Sequence, residues 1–245
     1  MDMERQRSYE EAISEYYSGP FQDDGKWIWP DTVPEWAGGP AAKEEFYTAL
    51  REAWVTSPDP RKRMLVAQHS GLDVWERLAK DENEMVRAAV ALAGDDTIHR
   101  ELADDSSPLV RGYVADYSSP AVLRYMADHE TNMDVVYHIA KRKDRPSQSV
   151  IVERFWDQPD FLQRIVPLLS LTEKEHLLSH DDQQVRLQVG ENGTKRQAKT
   201  VMEDTRIPDY EKLFVANRLQ ELEEISAALQ PVPLRELRID NELSR

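Results

Sequence analysis

A period of 24 residues constrains this chain more than any other feature of its sequence. Residues 57–80, 81–104 and 105–128 align without a gap, and six columns match: Arg63, Arg87 and Arg111; Val66, Val90 and Val114; Ala67, Ala91 and Ala115; Val74, Ile98 and Val122; Leu78, Leu102 and Met126; Ala79, Ala103 and Ala127. A unit of this size cannot bury its own apolar face, so it must stack on its neighbours. The array continues in degenerate form. Ile139-Ala140 repeats the Val-Ala pair one residue late, and Val185-Arg186 with Val189-Gly190 restores the signature further on. Six units over 57–204 are expected, one of them inside FLQRIVPLLSLTEKEHLLSH.

Each unit reads as two short helices. In the third, Ser107-Pro108 and Ser119-Pro120 place a capping hydroxyl before a proline at the first helical position, where the missing N–H costs nothing. Val110, Tyr113, Val114 and Tyr117 then form one stripe, and Val122, Leu123, Met126 and Ala127 a second. Helices this short are unstable alone and gain their stability from packing between units. The fold class expected is all-α: a solenoid of about six 24-residue two-helix repeats with helical N- and C-terminal caps.

This unit, with its D-x(5)-R, V-A and L-A landmarks, resembles the leucine-rich repeat variant family and, more distantly, HEAT-type repeats of nearly twice the length. The resemblance is carried by 57–128 in full and by 129–204 in degenerate form. It implies alternating α and shorter, often 3₁₀, helices stacked in a superhelix, and it transfers a fold rather than an activity. Some bacterial members bear an iron–sulfur domain; with no cysteine here, that ligation is excluded.

The flanks differ from the repeat. Residues 1–56 form an acidic N-terminal cap with 12 acidic and 5 basic side chains; Ser8-x-x-Glu11 has capping-box spacing, and a helix is expected from Pro40 through Phe46, Leu50 and Trp54. Between them Trp27, Trp29 and Trp36 fall within 15 residues. Residues 205–245 are read as a C-terminal capping helix and tail, with Leu219, Leu222, Ile225 and Leu229 on one side and Pro231 as the stop.

Chemistry-bearing motifs are sparse. The ladder Arg63, Arg87 and Arg111 is read as structural, each guanidinium bridging repeats to a carboxylate such as Asp81 or Asp105; a phosphate-reading ladder is the alternative. His176 and His180 stand four apart, but no further ligands are in view and the H-E-x-x-H pattern is absent, so no metal site is assigned. The basic run at 141–145 is read as a solvated loop, and Asn192-Gly193-Thr194 is only a formal glycosylation sequon. No nucleophile–base pair, glycine-rich phosphate loop or cofactor motif is present, so neither a catalytic residue nor a cofactor is expected.

A net charge of −15 disfavours direct nucleic-acid binding, which needs clustered Lys and Arg. No apolar stretch approaches a membrane span, and the charged N-terminus lacks a signal-peptide core; a cytoplasmic location is expected. The functional expectation is a non-catalytic helical-repeat module or scaffold that binds a protein partner, with Trp27, Trp29 and Trp36 as candidate anchors. Two alternatives come from other classes: an acidic nucleic-acid mimic that inhibits a DNA-binding protein, and a relative of the HEAT-like DNA glycosylases, against which the charge argues.

Overall fold

The computed structural model describes residues 38–228, and every regular element among them is helical. A 3₁₀ turn at Gly39–Ala42 leads into α1 (Lys43–Val55). The repeats follow as pairs: α2 (Pro60–Gln68) with α3 (Leu72–Leu78), α4 (Glu84–Ala93) with α5 (Asp96–Leu102), α6 (Pro108–Tyr117) with α7 (Pro120–His129), and α8 (Met133–Lys141) with α9 (Arg145–Arg154). Then come α10 (Pro159–Ile165), a 3₁₀ turn Val166–Leu168 and α11 (Leu171–Leu177), and finally α12 (Gln183–Asn192) with α13 (Lys195–Glu203). After a 3₁₀ turn at Asp209–Glu211, the 16-residue α14 (Leu213–Ala228) closes the described chain. First helices therefore start in steps of 24, 24, 25, 26 and 24 residues, which makes six two-helix repeats.

The chain forms two compact units, Met1–Val150 and Ile151–Arg245. In the first, the first helices lie side by side, α2 on α4, α4 on α6 and α6 on α8, with α3 on α5 and α5 on α7 behind them. The matching columns build its core: Val66, Val90, Val114, Ala67, Ala91, Ala115 and Ile98 are wholly buried, and Leu78, Leu102 and Met126 nearly so. Full burial of each Val or Leu stabilises by about 1.5–3 kcal/mol. The helix α1 covers the α2 end of this layer with Phe46, Leu50 and Trp54.

The second unit sets α10 against α12, and α14 against both α12 and α13. Its core includes Leu187, Ala198, Val201, Ile207 and Val215. Close approach here depends on a glycine. Gly190 occupies the column filled elsewhere by Ala67, Ala91 and Ala115, and a Cβ on it would stand 2.8 Å from Val215 Cγ1 and 3.1 Å from Val201 Cβ.

Three local expectations are corrected. The hydroxyls of Ser107 and Ser119 do not cap their helices. Ser107 Oγ instead donates to Glu84 Oε2 of the preceding repeat at 2.5 Å, because stacking brings that carboxylate within reach. Tyr117, placed by periodicity on the inner stripe of α6, is 53% exposed at the helix end. Ile225 of α14 is likewise exposed, since the buried contact of that helix is made by Val215 nearer its start. The capping-box sequence at Ser8 lies outside the described residues.

Candidate functional site

Most polar side chains inside the stack are committed to holding it. Arg63 donates through Nε and Nη2 to Asp81 (2.6 and 2.8 Å) and through Nη1 to the Ser57 carbonyl. Arg87 does the same to Asp105 and the Asp81 carbonyl, and Arg111 to Glu130 and the Asp105 carbonyl. Each carboxylate also accepts backbone amides of the loop that starts the next repeat: Asn83 N on Asp81, Ser107 N on Asp105, and Thr131 and Asn132 N on Glu130. Such bidentate, charge-assisted pairs raise the arginines further above their ordinary value, chiefly through the carboxylate hydrogen bonds. Burial pushes the Glu130 carboxyl up, but its bonds from Arg111 and the two amides outweigh that and hold it below the ordinary range.

A fourth rung escaped the sequence reading. Arg186 donates to Asp204, eighteen residues on, and to the His180 and Asp181 carbonyls. Asp204 is held well below the usual carboxylate range, first by the Arg206 side chain against the opposing effect of burial, then by the Arg206 amide and Arg186. The pairing of Val185-Arg186 with the repeat signature was the available signal.

A second register closes the carbonyls that a helix end leaves without partners. Trp75 Nε1 donates to Ala67 O (2.7 Å), His99 Nε2 contacts Ala91 O (2.8 Å), and Gln148 Nε2 donates to Ala140 O (2.7 Å). Leu123 holds the equivalent place in the third repeat and has no donor. Arg142 reaches back from the fourth repeat to supply one, to Ala115 O at 2.7 Å and Ser118 O at 3.0 Å. The basic run at 141–145 is thus partly structural, with Asp144 accepting Ser147 N and Oγ.

His176 and His180 flank one aromatic ring. Trp156 lies 4.9 Å and 4.7 Å from their ring centres. His180 Nδ1 accepts the Asp182 amide, so Nε2 carries the proton and donates to Trp156 O. Trp27, Trp29 and Trp36 lie outside the described residues.

What the stack leaves open is one face of the first-helix layer. Met85 and Leu109 hold the same column on adjacent α4 and α6 and are 44% and 40% exposed; Leu92 and Tyr117 sit exposed at the far ends of the same helices. Tyr117 stacks on Tyr113 at 6.4 Å. Beside them a groove of about 420 Å³ runs along the α6–α8 seam. Gly112 and Val135 lie at its base, with Leu109 and Tyr113 on one side and Asp134 and His138 on the other. His138 Nδ1 meets Asp116 Oδ2 at 2.9 Å. Gly112 stands where the earlier repeats carry Met64 and Ala88, and its missing side chain opens the groove.

No family model and no curated protein sequence matches this chain. Among solved structures, one described as "a leucine-rich repeat variant with a novel repetitive protein structural motif" superposes with a TM-score of 0.55 at 22% identity, covering 87% of this chain and 83% of that one. The chain shares its helical-repeat fold.

Proposed function

We propose that this chain is a non-catalytic helical-repeat interaction module that binds a polypeptide partner on the open face of α4 and α6. One observation carries the reading: Met85, Leu92, Leu109 and Tyr117 are exposed together on adjacent first helices, while the equivalent interior columns are buried. Apolar side chains exposed on neighbouring elements are the kind of surface that interaction sites use. The repeat fold supports the same role, since stacked units present extended binding surfaces. Trp27, Trp29 and Trp36 are assigned to the same partner as a second set of anchors. The acidic-mimic reading draws no support from the rungs, whose carboxylates Asp81, Asp105 and Glu130 turn inward onto arginines.

A photo-crosslinking residue at Tyr117, compared with one at Arg100 on a second helix, tests this in the native host. A discrete adduct from position 117 and none from 100 is expected; equal labelling from both positions, or none, removes the proposed face.

A further inference from the structure

Resting on that reading, we infer that the α6–α8 groove recognises a partner by seating one arginine side chain of an extended basic segment. The lining contains two carboxylates, Asp116 and Asp134, and neither Lys nor Arg. Its base is apolar, and its volume falls in the range of ligand-binding clefts, roughly 300–1,000 Å³.

The two carboxylates set the sign of the ligand. An ionised carboxylate only accepts, so the Asp116 contact places a proton on His138 Nδ1, and with the ring neutral Nε2 is an acceptor. The Cδ2–Nε2 edge of that ring lies beside Gly112, 3.9 and 4.0 Å from where a Cβ would stand. One end of the groove therefore offers carboxylate and imidazole acceptors, a match for a donor-rich planar cation. Arginine presents five N–H donors, stacks on aromatic rings and carries an apolar stem. Its guanidinium fits the Asp116–His138 end, its methylenes the base formed by Gly112 and Val135, and the Tyr113 ring offers a stacking wall. The chain's net charge of −15 adds long-range attraction for a basic segment. A neighbouring backbone on the exposed Leu109 and Tyr117 side would supply the rest of the contact.

The probes are the full chain and three capped ligands: the pentapeptide Ac-Gly-Leu-Arg-Leu-Gly-amide, the same peptide with citrulline for arginine, and N-acetyl-arginine amide. Binding is followed by amide shifts in an NMR titration, with melting temperature recorded for each variant. The arginine pentapeptide is expected to move resonances of α6 and α8 and to bind about tenfold more tightly than the uncharged citrulline form. Asp116→Asn should lose most of that difference, and Gly112→Met, which puts into the groove the residue type that the first repeat carries at position 64, should abolish binding; Gly112→Ala, a smaller filling, serves if the Met variant melts early.

Equal binding of arginine and citrulline peptides overturns the proposal, as does retained binding in both Asp116→Asn and a folded groove-filling variant. Equal affinity for N-acetyl-arginine amide also overturns it, since the site would then be a small-molecule pocket. Crosslinking at Tyr117 without charge discrimination removes the arginine seat alone; loss of both removes the interaction face as well.

Discussion

Between residues 57 and 130 every repeat is tied to the next by an arginine whose carboxylate stands 18 or 19 residues on, and in the second unit Arg186 makes the same tie to Asp204. In the fourth and fifth repeats the arginine position holds Val136 and Leu162, both fully buried. Stacking persists without the ion pair because a buried pair and well-packed apolar side chains of similar volume can be nearly equivalent in stability. The period is 24 across the first two rungs, 25 across the third, 26 out of the rungless fourth repeat and 24 again out of the rungless fifth, so loss of the rung does not by itself move the register. The 25-residue step is visible in one side chain: Arg111 meets its carboxylate a residue later, and the partner is Glu130, a methylene longer than Asp81 and Asp105.

The largest expected effect tests the shared core. Leu102→Asp puts a charge at a 2% exposed site and should cost about 4 kcal/mol or more in chemical denaturation. Arg100→Ala, at a side chain 68% exposed, should stay within about 0.5 kcal/mol. Equal shifts would mean that the helix phase assigned to the first unit is wrong.

Breaking a rung comes next. Arg87→Ala strands the Asp105 carboxylate and should cost about 2–4 kcal/mol, while Arg87→Met with Asp105→Leu should recover most of it, imitating the fourth and fifth repeats. A double variant no better than the single one would show that the apolar solution of those repeats is not portable.

Two glycines should respond with opposite signs. Gly190→Ala forces a Cβ into Val215 and should destabilise by about 1–3 kcal/mol. Gly112→Ala meets only ordinary contacts and should stabilise by about 0.5–1 kcal/mol through helix propensity, with melting temperature as the readout for both.

Acid gives the smallest contrast. Glu130 and Asp204 lie below their ordinary values, so each contributes fully above about pH 4–5 and loses its contribution as pH falls through its depressed value. Glu130→Gln and Asp204→Asn should each flatten the acid limb of the stability curve, shifting its midpoint by roughly half a pH unit or less. An unchanged acid limb in both would mean that other carboxylates control acid unfolding.

The repeat, its helix pairs and the arginine column could be read in the sequence because they recur in register. The fourth rung was harder to read, since the two repeats before it carry Val136 and Leu162 instead of arginine. The carbonyl register was hidden by its chemistry: Trp75, His99 and Gln148 share a place and a hydrogen bond but no residue type. The groove was out of reach for a different reason. Gly112 could be seen beside Met64 and Ala88, but a cavity depends on what the next helix sets opposite, and His138 arrives only after the 25-residue step.

The carboxylate that joins one repeat to the next also makes the length of the array a heritable variable. Excising residues 81–104 would bring Asp105 to the place of Asp81, eighteen positions after Arg63, with Asp105 still folding its own loop over Ser107. Ala67 would then face Ala115 in place of Ala91, a like residue in a like column. A duplication of the same 24 residues would recompose its junctions in the same way. Unequal recombination within such a gene can thus lengthen or shorten the stack by whole repeats without breaking a rung.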